Sequence, residues 1–385
     1  MKNVGTVSQI GMDAHRRFSM VTARDAEGHI LWRERLRHED RGLLREALAA
    51  WPKGVPVVLE ATFGWGWLSD ELTAAGLEPH LASSMKVAAW RKARGLAKSD
   101  RIDSDLFSEL PMRSNQRWWD VWLAPPAVRQ QREWLRYRMA LVRLQTGLKN
   151  RVHAVLHRHG IVNEHADLFG AAGRQMLSLL IGSQEGLLPD SARSTLKGYL
   201  RLLDQLRLQI AQVTRELRRQ IQRSPAGERL RTIPGIGWVL AYTILAEVGQ
   251  IDRFRGPRQL ASYSLLAPRA YDSGNDEPND TPRGRHVGHV GRRTLKWAWI
   301  EAAHSAVRHG GQFREIFDRR TNQGRRDRCR GLIAVAHQLC KLGFVVWKKG
   351  VGYQETPPPR PGSAREVEWS CPGTGQLDVA MVAAE

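Results

Sequence analysis

The chain is poor in cysteine, in targeting signals and in long apolar runs. Its 385 residues include three cysteines, Cys329, Cys340 and Cys371, and these form no CxxC pair. The sequence therefore indicates neither a disulfide framework nor a zinc site, as is usual in a reducing cytoplasm. The opening MKNVGTVSQIGMD has no signal-peptide core, and no stretch approaches the length of a membrane span. We expect a cytoplasmic protein with no membrane partner.

Acidic residues are also in deficit, because 39 Asp and Glu face 59 Lys and Arg, for a formal net charge of +20. Such a surplus attracts phosphate backbones regardless of base sequence. Nucleic acid is thus the expected partner, and a basic surface without a polyanion is the alternative. Hydrophobic residues make up 42% of the chain, enough for buried cores, and the length predicts two or three domains.

The pattern over residues 4–110 alternates short apolar runs with helical stretches. Strands are predicted at residues 4–12, 18–23, 30–35, 56–59 and 79–82. Helices are predicted at residues 42–51, 65–75 and 86–94, with another beginning near Ser99. Three early strands joined by short turns indicate an antiparallel meander. The order β-β-β-α-β-α-β-α matches the ribonuclease-H-like α/β fold, which we assign to a first domain at 1–126.

The rest of the chain is predicted to be mainly helical. Residues 127–160 and 195–223 carry apolar side chains mostly three or four positions apart, which favours a helical arm at 127–226. The arm is interpreted as a dimerising coiled coil or as an ordinary two-helix subdomain. A mainly helical domain follows at 227–350. The proline-rich tail at 351–385 is predicted to be disordered.

Four acids are placed where a metal site would need them. Asp13 follows the first predicted strand and Glu60 the fourth; these strands are neighbours in a ribonuclease-H-like sheet, so both acids emerge at one edge. Asp100 and Asp103 share a helix face, with Cβ atoms roughly 5–6 Å apart. Phosphoryl transfer commonly uses two divalent ions about 3.5–4 Å apart, and Mg²⁺ prefers carboxylate oxygens. The sequence therefore predicts a metal centre formed by these four acids.

Ordinary roles exist for each acid alone. Asp100 suits the first turn of a helix, and Asp13 suits a turn cap. The four together form a more specific pattern, which favours the metal centre. Asp105 lies off the shared helix face and is expected to stand outside the site. His15 is a candidate for positioning substrate, although an isolated exposed histidine is more often only part of the surface.

Two later segments are candidates for contact with DNA. LRTIPGIGWVLAYTILAEVG predicts a helix-hairpin-helix element, in which Gly235 and Gly237 let a phosphate approach the backbone; a plain helical hairpin is the alternative. A basic segment follows, whose cations are expected either to meet phosphates or to form a solvated face. These cations are Arg283, Arg285, Arg292, Arg293 and Lys296. Ser273, before Gly274, fits turn chemistry, and the residues alone rank it no higher than Ser262, Ser264 or Tyr271.

The motifs together resemble a known family, the DEDD-type transposases of bacterial insertion sequences, the insertion-sequence one-ten family. The resemblance runs through nearly the whole chain and rests on the order and spacing of eight pieces. They are GMDAHRR, VLEAT, KSDRIDSDL, LKNRVHAVLHRHG, IPGIGWVLAYTILAEVG, LLAPRAYDSG, VGRRTLKWAWIEAAHSAVRH and AVAHQL.

The resemblance implies a RuvC-like first domain, a coiled-coil arm and a C-terminal transposase domain. It implies that Asp13, Glu60, Asp100 and Asp103 bind Mg²⁺, with Mn²⁺ as the alternative ion. It also implies that Ser273 attacks a DNA phosphate and becomes covalently linked to it. A homo-oligomer, dimer or tetramer, and a structured guide (bridge) RNA that pairs with donor and target DNA are implied as partners.

Three departures from the family pattern lie in the serine loop. Asp272 precedes the serine where a small or polar neutral residue is usual. The stretch 274–285 is longer and more acidic than the family pattern, and His289 stands where a lysine is common. Two other functions therefore stay open at this point. One is a RuvC-like junction nuclease that uses water as the nucleophile, and the other is a non-catalytic nucleic-acid scaffold.

Overall fold

The computed structural model describes residues 7–112, 117–183, 186–267, 291–323, 325 and 327–354, and the backbone of two short strands at 368–370 and 376–378. The chain divides into two compact units, Met1–Arg129 and Gln130–Glu385. The first combines a sheet with helices, and the second is mainly helical.

The first unit is built on a six-stranded mixed sheet. Its strands are β1 Gln9–Ala14, β2 Phe18–Arg24, β3 Ile30–Arg37, β4 Pro56–Glu60, β5 Glu78–Ala82 and β6 Asp120–Val121, in the order β3-β2-β1-β4-β5-β6. The pairs β1–β2 and β2–β3 are antiparallel, which confirms the predicted meander, whereas β1–β4 and β4–β5 are parallel. The two-residue β6 was not predicted, because so short a run leaves no periodicity to detect.

Helices cover both faces of this sheet. They are α1 Arg41–Ala49, α2 Trp65–Ala74, α3 Ser84–Ala93 and α4 Asp100–Glu109. Strand residues alternate between faces: Val57 and Leu59 of β4 join one buried cluster with the leucines of α1 and α2, while Val58 joins another with Val87 of α3 and Phe107 of α4. The same alternation on β1 directs Ile10 and Met12 to the first cluster, which leaves Gly11 and Asp13 for the face that α4 covers.

The second unit contains nine α-helices within the described ranges, the first of which starts in the first unit. They are α5 Pro126–Arg158, α6 Ala171–Gly182, α7 Asp190–Gln222, α8 Pro225–Arg231, α9 Trp238–Val248, α10 Pro257–Tyr263, α11 Arg293–His309, α12 Gly311–Thr321 and α13 Arg328–Lys349. A 3₁₀ turn, Ile251–Arg253, follows α9. In the tail, β7 Glu368–Ser370 pairs with β8 Gln376–Asp378; the sequence pattern predicted no regular structure there.

The arm consists of two 33-residue helices, α5 and α7. Arg138, early in α5, donates from Nε to Oγ1 of Thr214, late in α7, at 2.9 Å. Val155, late in α5, shares a buried cluster with Leu196, early in α7. The two helices therefore run antiparallel as a hairpin within one chain, and the dimerising role stays a prediction.

The expectation that no stretch approaches the length of a membrane span needs correction. Among the described residues, α13 is long and apolar enough to cross a membrane by length and composition alone. The most apolar stretch of this helix is 56% buried, and Val335, Leu339 and Cys340 belong to the main core of the second unit. The helix therefore packs as a core element of this fold.

Candidate functional site

The four predicted acids lie on three elements of the first unit. Asp13 is on β1, Glu60 is the last residue of β4, and Asp100 and Asp103 lie in the first turn of α4. Because β1 and β4 are parallel neighbours, Asp13 and Glu60 come to the same edge of the sheet. We call this set of four side chains the acid edge.

A glycine on β1 brings α4 to that edge. A Cβ on Gly11 would lie 2.1 Å from the backbone nitrogen of Ser108 and 2.3 Å from the backbone oxygen of Ser104, closer than any side chain tolerates. Both serines are fully buried. Sequence reasoning passed over Gly11, although a glycine inside a strand is a signal of close backbone approach.

Polar contacts hold α4 in register above β2 and β3. Thr22 lies 3.0 Å from the Ser104 hydroxyl and donates to Asp105 at 2.8 Å. Arg33 donates from Nε and Nη2 to the two carboxylate oxygens of Asp105, at 2.8 and 2.9 Å. Asp105 thus fixes the helix on the sheet, and the expectation that it stands apart from the other acids agrees with these contacts.

The acids influence one another strongly. Asp13 is 6% exposed, and this burial raises its pKa to about 6. The nearby His15 opposes the shift, whereas the carboxylates of Asp103, Glu60 and Asp100 each add to it. The acid edge is therefore a place where negative charge accumulates at close range, which a bound cation would relieve.

His15 proves to be part of this arrangement. Its Nε2 lies 3.2 Å from Oδ2 of Asp13 and 3.2 Å from Oδ2 of Asp100, yet this buried nitrogen has no aligned hydrogen-bond partner. The ligand atoms of these three residues all lie within 4.8 Å of one another, close enough to hold one ion. On Asp103, Oδ1 instead accepts a hydrogen bond from Nη1 of Arg91 at 2.5 Å, a contact between two helices that sequence reasoning missed.

The two hairpin glycines have different surroundings. Gly235 adopts φ +86°, and a Cβ there would lie 2.3 Å from the backbone oxygen of Ala302 on α11. Its close approach is thus to the protein's own helix. Gly237 has open space around its Cα and precedes α9 without a side-chain cap, so this end of the hairpin retains free backbone N–H groups.

The predicted cations of the basic segment fall partly within the described ranges. Arg292 pairs through Nη1 with Oε2 of Glu247 at 3.1 Å, and Glu247 is 4% exposed, so Arg292 compensates a buried acid. Arg293 and Lys296 lie in the first turn of α11. The predicted residues that lie outside the described ranges are Ser273, Arg283 and Arg285.

Comparisons with known proteins agree with this arrangement. A DEDD transposase model, described as "Transposase", matches residues 10–161, and a model of the "Transposase IS116/IS110/IS902 family" matches residues 227–318. The chain belongs to the IS116/IS110/IS902 family of transposases. A transposase cuts and joins DNA strands, its function implies binding to DNA, and a DEDD nuclease domain implies a divalent metal ion.

Curated relatives span most of this transposase. The chain is 26% identical to the transposase for insertion sequence element IS1111A of Coxiella burnetii, over 80% of each protein. It is 25% identical to a probable family 20 transposase of Pseudomonas aeruginosa, over 78% of this chain and 85% of the relative. It is also 26% identical to the transposase for IS1328 of Yersinia enterocolitica, over 70% of this chain and 76% of the relative.

Proposed function

We propose that this transposase cuts and rejoins DNA at the acid edge, within a ribonuclease-H-like (RuvC-like) first unit. Asp13, Glu60, Asp100 and Asp103 are the residues that would hold the divalent ions, with Mg²⁺ the expected metal and Mn²⁺ the alternative. The observation that carries the proposal is the convergence of acids from β1, β4 and α4 at one edge, where the ligand atoms of Asp13, His15 and Asp100 lie within 4.8 Å of one another.

The donor set fits a divalent cation. Carboxylate oxygens are the ligands that Mg²⁺ and Mn²⁺ prefer, and the buried Nε2 of His15 lacks an aligned partner beside two of them. Bound ions of this kind polarise phosphoryl oxygens and favour deprotonation of the nucleophile. The chain's own contribution is to hold the acids on rigid elements, with β1 and β4 paired and α4 docked over Gly11.

The proposed nucleophile is Ser273. Its hydroxyl oxygen would bond to the phosphorus of a DNA phosphodiester, the bond from phosphorus to one sugar oxygen would break, and that oxygen would leave carrying a proton in place of the one lost by serine. This assignment rests on the family resemblance. The two other serines considered from the sequence lie in the described region: Ser264 is buried, 3.6 Å from Sγ of Cys340, whereas Ser262 is exposed.

A trapped protein–DNA adduct tests the serine. Full-length protein is incubated with a labelled duplex carrying one end of the element, then denatured and separated by size. We expect an adduct with wild type and with the exposed control Ser262→Ala, and none with Ser273→Ala. An adduct that persists in Ser273→Ala would overturn the serine assignment, while cutting without any adduct would favour water as the nucleophile.

The same assay tests the acids. Asp13→Asn and Glu60→Gln should each lose both cutting and adduct formation by several orders of magnitude, because each removes a ligand of the ion that the chemistry requires. Recombination at the wild-type rate in both variants would remove the metal mechanism and leave a DNA-binding scaffold as the better description.

A structured guide RNA, a homo-oligomer and a cytoplasmic location complete the proposal. The net charge of +20 suits DNA and RNA equally, so the RNA rests on the resemblance. Sequencing the RNA that copurifies with the protein checks it: one abundant species encoded beside the gene is expected, and random host fragments alone would contradict a guide.

A further inference from the structure

A pocket beside the acid edge is lined by two arginines that form no ion pair with the part of the chain that the structure describes. The pocket has a volume of about 390 Å³. Its lining consists of Phe18 and Met20 from β2, Arg35 from β3, and Ser99, Asp100 and Arg101 at the start of α4. Asp100 belongs to the acid edge, so the pocket and the proposed metal centre share a wall.

The register of three strands explains which side chains line it. Directly opposed residues on paired strands share one face of the sheet. Two neighbouring rows on the face under α4 are Gly11–Thr22–Arg33 and Asp13–Met20–Arg35. The first row carries the contacts that dock α4. The second begins at the acid edge and ends in the pocket.

The two rows end in arginines with different partners. Arg33 is neutralised by the two-pronged contact with Asp105. On α4, the residue that faces Arg33 is an acid, Asp105. Four positions earlier on the same helix, at the pocket, stands another cation, Arg101. Within the described ranges, neither Arg35 nor Arg101 has a carboxylate within 4 Å.

Arg35 is nevertheless held in place. Its guanidinium carbon lies 3.7 Å from the centroid of the Phe18 ring, a stacking contact that restrains the long side chain. Phe18 packs in turn against His15, with ring centroids 4.7 Å apart. A positioned guanidinium loses less entropy when it binds an anion than a freely moving one.

We propose that this pocket binds a phosphate of the DNA backbone, one that neighbours the phosphate being cut. Arg35 and Arg101 are its ligands. In the lining the two arginines outnumber the one carboxylate, that of Asp100, and the planar donor fork of arginine matches phosphate oxygens. Phe18 and Met20 supply an apolar wall for the sugar or base. The location next to the scissile phosphate rests on the proposed function of the acid edge.

Salt dependence of binding tests the contact. Full-length protein is titrated with a duplex carrying one end of the element over a range of salt concentrations. We expect each of Arg35→Ala and Arg101→Ala to lower the slope of log affinity against log salt by about 0.9 and to weaken binding about tenfold at low salt. Arg35→Lys keeps the charge and should retain most of the slope.

Arg45→Ala is the matched control, because this exposed arginine of α1 is already paired with Glu71 at 2.8 Å and should leave the slope unchanged. Slopes equal to wild type in both pocket variants, or an equal fall with Arg45→Ala, would overturn the proposal. A fall seen with RNA and absent with the DNA duplex would overturn the assignment to DNA.

Neutral phosphates locate the contact on the strand. Methylphosphonate is placed at one position at a time around the mapped cut site. Wild-type binding should weaken at one or two positions adjacent to the cut, and the Arg35→Ala/Arg101→Ala double variant should be indifferent at those positions. A double variant as sensitive as wild type at every position would refute the pocket.

Asp13→Asn separates this proposal from the proposed function. That variant should lose cutting while it keeps the wild-type salt slope and methylphosphonate pattern. If Asp13→Asn cuts at the wild-type rate, the function assigned to the acid edge is wrong, whatever the pocket arginines do. If it loses cutting and the pocket variants bind as wild type, only the pocket proposal is wrong.

Discussion

The acid edge of the first unit and the hairpin around Gly235 in the second unit both depend on a glycine that lets two backbones approach closely, but the surroundings of the two glycines differ. Gly11 lets α4 lie directly on β1, and this brings Asp100 and Asp103 to the edge that holds Asp13, whose pKa is raised by burial and by the neighbouring acids. Gly235 also permits a close approach, to α11, and in the same unit the buried Glu247 is paired with Arg292. The first arrangement gathers four acids with two basic neighbours, Arg91 and His15, whereas the second completes a packed core.

This contrast separates two meanings of a close backbone contact. A glycine is needed wherever two backbones come within reach, whether the result is a reactive site or ordinary packing. What distinguishes the acid edge is the set of charges around it: buried Asp13 has three acidic neighbours and only His15 opposes them. Gly11 and Gly235 therefore both mark close backbone contacts, and the charges around Gly11 are what make the acid edge a candidate site.

Gly11→Ala should have the largest effect on this comparison. The added methyl meets the backbone of Ser104 and Ser108, so α4 must shift away from the sheet. We expect a loss of about 1–3 kcal/mol in the free energy of unfolding and about a hundredfold loss of cutting, because Asp100 and Asp103 move with the helix. Urea unfolding and a strand-cutting assay measure the two effects. Full activity in a folded Gly11→Ala protein would contradict the docking role.

Gly235→Ala tests the same idea in the second unit, with Gly237→Ala as its control. At 235 the methyl would meet the backbone of Ala302, and the backbone has a positive φ, so we expect a loss of about 2 kcal/mol or more in thermal unfolding measurements. At 237 nothing lies within 4 Å, and stability should change little. Equal stability losses at both positions would show that the hairpin does not pack as described.

The pH dependence of stability probes Asp13 in metal-free protein. Its pKa rises from an ordinary 3.8 to about 6 on folding, so its contribution to stability is fully present below about pH 4 and is lost as pH rises through 6, by roughly 3 kcal/mol. Asp13→Asn should remove this loss and be more stable than wild type at pH 7, but not at pH 4. Urea unfolding in EDTA measures it, with the exposed Glu27→Gln as control; parallel profiles for wild type and Asp13→Asn would contradict the shift.

Arg292→Ala is expected to have the smallest effect. Removing the ion pair of Arg292 with buried Glu247 should lower stability by about 1–2 kcal/mol, with little change in the salt dependence of DNA binding. Unchanged stability with a smaller slope of log affinity against log salt would instead support the sequence prediction that Arg292 contacts a phosphate. Thermal unfolding and the duplex titration distinguish these outcomes.

Much of the first unit was predictable because its patterns are local. Strand alternation and short turns predicted the meander, and the observed β1, β2 and β3 confirm it. The parallel pairing that joins Asp13 and Glu60 at one edge followed from the order of elements. Asp100 and Asp103 share the first turn of α4, as their spacing of three predicted.

Other features depend on contacts between distant residues, which a single sequence does not reveal. The stack of Phe18 with Arg35, the contact between Arg91 and Asp103, and the place of His15 between two acids join residues on different elements. The hairpin glycines looked alike in sequence, and only the packing of α11 distinguishes Gly235 from Gly237. The serine loop lies outside the described residues, so Ser273 remains a prediction.

The contact at Gly11 has a consequence for how such transposases diverge. Since Gly11 meets the backbone of Ser104 and Ser108, any side chain at position 11 displaces the helix that carries two of the acids, whichever residues stand at 104 and 108. Position 11 should therefore stay glycine among descendants of this element. Purifying selection on this one position should be stronger than on the exposed positions of the same strand and helix.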